Sequence, residues 1–440
     1  MKMKVEEHIK CLIDLLGKDY QILKYVYNNK FIPGETPIYY SGPYWGDDEV
    51  VEAIKTLLTG KWLSSGEKVR EFENAFTRKI NNRYGLMVNS GSSANLVMFA
   101  ALKKVYNWKD DDELILSVVG FPTTLAPIIQ NQLKPVFVDI EMDSLNFDVD
   151  KIEEKITSKT KAIVLSPVLG NAPDMDKIKA LCDKHKIQLV LDNCDSLGSK
   201  WKGKYLNQYA VASTNSFYPS HHISTGEGGM VVSDNKELIN TARSIAWWGR
   251  DCYCVGAANL ISCGSCGNRF DKWLDNYDGI IDHKYLFVNV GYNLKPLDMQ
   301  GSIGLVQLKK FDEIHTKRRH SKNKIHELLE KHLVDVYVPG EIEHAETSWF
   351  GTPIICPNKE YKDNLVEFLE SMKIQTRNYF AGNILLHPAY KDLDSFDKYP
   401  EANKVLDQVF FIGAAPHYGD EVFTHIENCL KEFANVYSIG

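Results

Sequence analysis

The sequence predicts an α/β fold: a large domain built on a mostly parallel sheet covered on both faces, then a smaller C-terminal α+β domain. Two observations predict it. From Tyr84 onward the short apolar runs YGLMV, ELILSVV, PVFVDI, AIVLSP and IQLVLD alternate with helical segments, the pattern of parallel strands joined by crossover helices. The runs are continuously apolar rather than alternating, as strands buried on both faces are. With 440 residues, 44% of them hydrophobic and 25% charged, the chain has apolar material for two or three domains.

In chain order, the first 20 residues (MKMKVEEHIKCLIDLLGKDY) read as an amphipathic helix packed on the body of the protein. Their apolar run is too short and interrupted for a signal peptide. Nothing later approaches the roughly 20 apolar residues of a membrane span, so no membrane partner and a cytoplasmic location are expected. Phe31–Gly46, rich in Pro, Gly and Tyr, reads as an extended arm. DDEVVEAIKTLLTG predicts a helix capped by Asp47 and stopped at Gly60, and EKVREFENAFTRKI predicts a second. Between the strands, SSANLVMFAALKKV, TTLAPIIQNQ, DVDKIEEKI and APDMDKIKALCDKH predict helices. Residues 250–290 break the alternation with DCYCVGAANLISCGSCGNRF. A long helical stretch, LDMQGSIGLVQLKKFDEIHTKRRHSKNKIHELLEKH, then leads into the C-terminal domain. The expected divisions are a helical extension over 1–35, a large domain over 36–305 and a small domain over 306–440. A net charge of −7, spread along the chain without a basic stripe, argues against a nucleic-acid partner.

Ligands of open parallel sheets bind at the carboxyl ends of the strands, and three segments ending there carry suitable chemistry. VNSGSSANL follows a strand and opens a helix, so Gly91, Ser92 and Ser93 offer N–H groups and hydroxyls for a phosphate. LVLDNCD ends a strand at Asp192, a carboxylate able to keep a pyridinium nitrogen protonated. GFPTT places Phe121 where its face could stack on a ring.

SGSSAN, GFPTT, LDNCDSLGS, SFYPSHHISTGEGG and VGYNLKPLDMQGSIGLVQL occur in the order and spacing of the DegT/DnrJ/EryC sugar aminotransferases, which the chain resembles over roughly residues 36 to 435. The resemblance implies the aspartate-aminotransferase fold (PLP fold type I) and a vitamin B6 cofactor. It implies that Asp192 holds the pyridine nitrogen, that Ser92, Ser93 and Ser216 hold the phosphate, that Phe121 covers the ring, and that Asp195 joins the cofactor set. Asn293 would reach the phosphate of a neighbouring subunit's cofactor, which implies a homodimer.

The chain departs from the family at its catalytic lysine. That position falls on His221, and no lysine occurs between Lys204 and Lys236. A lysine amine tethers the aldehyde cofactor covalently, and imidazole cannot hold that bond. The cofactor expected is therefore pyridoxamine phosphate, bound without a covalent link. A histidine can still move a proton, and loss of a hydroxyl β to the reacting carbon then replaces amino transfer. His221 is expected to be that base, with His222 as a competitor.

The cysteines point to a metal centre. Cys194 lies two residues beyond Asp192, and Cys252, Cys254, Cys263 and Cys266 fall within 15 residues. Four thiolates suit a [2Fe–2S] cluster or a zinc ion equally by spacing. FYPSHHISTGEGG, WGRDCYC, CGNRF, SWFGTPI and FAGN resemble a family subset containing CDP-4-keto-6-deoxyglucose 3-dehydratase. That resemblance implies a [2Fe–2S] cluster on Cys194, Cys252, Cys254 and Cys266, with Cys263 a rival for the fourth place. It also implies a flavin or iron–sulfur reductase as partner. The implied substrate is a nucleotide-activated 4-keto-6-deoxy sugar, CDP-linked by preference, with GDP or TDP open. The alternatives are a cluster-free GDP-4-keto-6-deoxymannose-type 3-dehydratase, an ordinary aminotransferase and a zinc-stabilised binding protein. Arg377 and His387, in TRNYFAGNILLHPAY, are candidates to line the sugar pocket.

Overall fold

A computed structural model describes residues 4–16, 31–252 and 270–437. The apolar runs form β1 (Tyr84–Val88), β2 (Glu113–Ser117), β3 (Lys134–Val138), β4 (Thr160–Leu165) and β5 (Gln188–Asp192). After the two-residue strands β6 (Lys200–Trp201) and β7 (Lys204–Tyr205) come β8 (Ala212–Ser216) and β9 (Gly229–Ser233). The central sheet has seven strands in the order β1-β9-β8-β5-β4-β2-β3. Its β3, β2, β4, β5 and β8 pair in parallel, whereas β9 runs antiparallel to both its neighbours.

Apolar cores lie on both faces of this sheet. One gathers Leu86, Val97, Leu116, Val164 and Val190. The other gathers Ile115, Ile163, Leu189 and Leu191, so successive residues of one strand point to opposite cores, as continuous apolar strands require. The smaller unit is a three-stranded antiparallel sheet of Gly351–Ile355, Val409–Gly413 and Thr376–Asn378, in that order, packed against helices Phe311–His332 and Asp420–Tyr437.

Several expectations are corrected. The helix at Asp47 is capped by Gly46, whose N–H donates to Glu49 at 2.8 Å, so Asp47 is its first helical residue. DVDKIEEKI forms two 3-10 turns, Val149–Lys151 and Glu153–Lys155, instead of an α-helix. A segment that short gains too few hydrogen bonds to offset nucleation. The long stretch after Leu297 is two helices, Asp298–Lys309 and Phe311–His332, broken at Lys310. Helix Val5–Leu16 does pack on the body, through Ile9 and Ile13 against Val50 and Val51.

One buried ion pair joins three elements around the edge strand. Arg243 on helix Lys236–Ala246 forks onto Glu73 of helix Glu67–Lys79 at 3.1 and 3.0 Å, and reaches the Gly85 carbonyl of β1 at 2.9 Å. Glu73 in turn accepts the Met87 N–H at 2.8 Å. Both side chains are under 10% exposed. Arg243→Met should cost about 3–5 kcal/mol by stranding a buried carboxylate. The double variant with Glu73→Gln should cost less than the single. Urea unfolding reads both, and a loss below about 1 kcal/mol in Arg243→Met would contradict the assignment.

Candidate active site

The carboxyl ends of β2, β4, β5 and β8 open on a cavity of about 590 Å³. The large sheet brings Gly91, Ser92, Phe121, Asp192, Ser216 and His221 to its wall. The smaller unit adds Phe350, Arg377, Phe380, His387 and Phe411, and the arm adds Tyr40. No lysine lines it among the described residues.

Asp192, the last residue of β5, is held from three sides. Its Oδ2 accepts the Asn95 side-chain amide at 2.8 Å and the Thr124 hydroxyl at 2.7 Å, and its Oδ1 accepts the Cys194 N–H at 3.2 Å. Asn95 is fixed in turn by the Thr214 hydroxyl at 2.6 Å and by the Thr123 carbonyl at 3.0 Å. These donors set the carboxylate's orientation and leave lone pairs for a group in the cavity.

Helix Gly91–Val105 starts directly against this strand end. Ser90 caps it, accepting the Ser93 N–H at 3.1 Å and sharing a 3.0 Å hydroxyl contact with Ser93. Ser93 is thereby used within the cap and does not line the cavity, whereas Ser92 does. A Cβ added at Gly91 would lie 2.6 Å from Ser216 Cβ and 3.1 Å from Cys194 Sγ, so only glycine lets the helix start approach. The helix N-terminus, Ser92 and Ser216 meet on one wall of the cavity, a geometry suited to an anion. Phe121, 51% exposed, precedes helix Pro122–Gln130 and meets Phe380 edge-on at 6.0 Å. Asn293 is exposed and lies outside this cavity; a neighbouring subunit's phosphate is no part of a single chain.

His221 stands on the cavity wall with its ring 5.2 Å from that of Phe350. Its Nδ1 is buried without a hydrogen-bond partner and lies 3.7 Å from Asp195 Oδ1. That distance suits an ion pair, but the surroundings do not. Burial, with the nearby Arg318 cation, pushes the imidazole down to about 4. Burial, with the Asp192 charge, pushes Asp195 up to about 8. Both groups are therefore neutral near pH 7 in the cofactor-free chain. His222 turns away from the cavity, with its Nε2 2.7 Å from the Ser348 carbonyl oxygen.

Cys194 lies on the wall beside Asp192, and Cys252 is partly exposed. Cys254, Cys263 and Cys266 lie outside the described residues. Among the described residues no three His, Cys, Asp or Glu side chains converge as a metal site. Sequence reasoning missed Asn95, Thr124, Tyr40, Phe350 and Arg318. Asn95 and Thr124 sit inside motifs already singled out, SGSSAN and GFPTT, and those motifs were the available signal.

A model of the DegT/DnrJ/EryC1/StrS aminotransferase family matches residues 45–431. The chain belongs to that family. It is 37% identical over 411 residues to a dTDP-4-dehydro-2,6-dideoxy-D-glucose 3-dehydratase of Saccharopolyspora spinosa, covering 92% of this chain and 88% of the relative. Among solved structures it resembles the GDP-4-keto-6-deoxy-D-mannose 3-dehydratase of E. coli with bound hydrated PLP. That match has a TM-score of 0.79 and 30% identity over 90% of this chain and all of that one. A GDP-4-keto-6-deoxymannose 3-dehydratase with a trapped PLP–glutamate geminal diamine matches with a TM-score of 0.77, 30% identity and the same coverage. The fold is thus that of the PLP-dependent sugar aminotransferases and dehydratases, with a mostly parallel central sheet.

The protonated Asp195 has a consequence for stability. An unfolded aspartate releases its proton near 3.8, but the folded chain holds this one to about 8. Folding therefore takes up a proton between those values, and this residue's contribution to stability declines as pH rises through the window. Cofactor-free Asp195→Asn should melt above wild type at pH 8, with the difference shrinking to nothing near pH 4. A melting difference independent of pH would contradict a neutral Asp195.

Proposed function

We propose that the protein is a pyridoxamine-phosphate-dependent C3 dehydratase of a nucleotide-linked 4-keto-6-deoxy sugar. One observation carries the reading: an imidazole, and among the described residues no lysine, lines the cavity beside Asp192.

The donor set fits the cofactor. Asp192 would hold the pyridine nitrogen, Ser92, Ser216 and the helix N-terminus the phosphate, and Phe121 a ring face, with Asp195 next to His221. Bound there, pyridoxamine phosphate supplies a primary amine for the ketone and an electron-accepting ring. The chain's own part is proton movement and exclusion of water. His221 accepts a proton at its imidazole and is neutral, hence competent, through the physiological range. It then returns a proton to the departing 3-hydroxyl. Phe350, Phe380 and Phe411 give the cavity an apolar stretch that suits the methyl group of a 6-deoxy sugar. Exposed Asn293 is available to a second subunit's phosphate in a homodimer.

We further propose that the product is reduced through a [2Fe–2S] cluster held by Cys194, Cys252, Cys254 and Cys266, fed by a flavin or iron–sulfur reductase. Cys263 remains the rival fourth ligand. What supports this reading is place: Cys194 stands on the cavity wall beside Asp192, where a cluster would lie close to the cofactor ring. The second reading is a cluster-free dehydratase that regenerates its amine from glutamate. It is favoured by the relative whose structure traps a PLP–glutamate species.

His221→Asn should lower dehydration of the CDP-, GDP- and TDP-linked 4-keto-6-deoxy hexoses by about 10²–10⁴-fold, read as solvent-oxygen exchange at C3. Undiminished exchange would refute the base assignment. Anaerobic preparations should carry about two iron and two sulfide per chain. Full, glutamate-dependent turnover without iron would establish the second reading instead.

A further inference from the structure

Behind the wall that carries His221, one guanidinium joins two segments far apart in sequence. Arg318, on helix Phe311–His332, is fully buried. Its Nη2 donates to the carbonyls of Ser220 and His221, both at 3.3 Å. Its Nη1 donates to the carbonyls of Phe350 at 3.2 Å and Trp349 at 3.5 Å. No carboxylate pairs with it among the described residues.

A buried cation without a counter-ion is costly, and four carbonyl dipoles offset only part of that cost. We propose that Arg318 is a positioning residue for His221: its fork ties the loop carrying the imidazole to the segment carrying Phe350, and so fixes the ring on the cavity wall. The fork holds both the backbone of His221 and the residue its ring packs against, since the His221 and Phe350 rings are 5.2 Å apart. The His221 N–H itself makes a local turn bond, to the Tyr218 carbonyl at 3.0 Å, so contacts from outside the loop set where it sits. Ser41 of the arm donates to the same Ser220 carbonyl at 2.5 Å, and His222 meets Ser348 from the next position along. A lysine would keep the charge but could not span two pairs of carbonyls, because its ammonium lacks the planar fork.

This inference rests on the reading of His221 as the base, and the test separates the two. Arg318→Lys, His221→Asn and the double variant are compared with wild type on whichever of the CDP-, GDP- and TDP-linked 4-keto-6-deoxy hexoses is turned over. Residual rates come from oxygen exchange at C3 accumulated over long incubations, and pyridoxamine phosphate affinity from quenching of tryptophan fluorescence. Arg318→Lys should lower kcat by about a hundredfold, the penalty of a misplaced catalytic group, with KM and cofactor affinity within about twofold. In the His221→Asn background it should cost less than about twofold more, because the two act as one unit. Wild-type kcat in Arg318→Lys, or the same fold-loss in both backgrounds, would overturn the proposal. Undiminished turnover in His221→Asn alone would instead sink the base reading. Should Arg318→Lys fail to fold, Phe350→Leu leaves the fork intact and removes the ring's packing partner. It should show the same non-additivity with His221→Asn, and simple additivity would overturn the proposal.

Discussion

The cavity depends on one anchored carboxylate. Asp192 ends β5 at the centre of the sheet, and hydrogen bonds from Asn95, Thr124 and the Cys194 N–H fix it. Each partner comes from a different element: the helix that starts at Gly91, the helix that starts at Pro122, and the turn after β5. Packing the two sheet faces therefore determines where the carboxylate points. Burial, with the Asp192 charge added, holds a proton on Asp195.

Against that charge stands a buried cation. Burial disfavours the His221 imidazolium most, Arg318 behind it adds to that, and Asp192 favours it less strongly. The balance leaves a neutral ring on the cavity wall. A neutral nitrogen base with no means of forming a covalent link to an aldehyde is suited to elimination and unsuited to amino exchange. Phe350 packs against the ring, and the ring's burial strengthens each of these electrostatic effects.

Much of this was legible in the sequence because apolar strands and Gly/Ser turns are physically distinctive. The first five strands and the helix at Gly91 follow directly from them. β8 was not legible: ASTNS is wholly buried yet has no apolar run. Its residues are polar because they bond to one another's neighbours, Thr214 to Asn95 and Asn215 to Asn193. The break at Lys310 was hidden because both flanking segments are good helix formers. That Phe121, Asp192 and His221 share one cavity wall was readable from the order of the motifs. Arg318 was not, since one arginine in a basic helical stretch looks like solvent-facing charge until the fold buries it. Ser93 was assigned to the phosphate because the motif alone cannot tell a capping serine from a binding one.

The central claim is that this chain holds its vitamin B6 cofactor without a covalent bond. Purified holoprotein, treated with borohydride and weighed intact under denaturing conditions, tests it most directly. The account predicts the mass of the bare chain and release of free pyridoxamine phosphate. A mass increase equal to a reduced pyridoxyl phosphate adduct, traced to any lysine peptide, would contradict it.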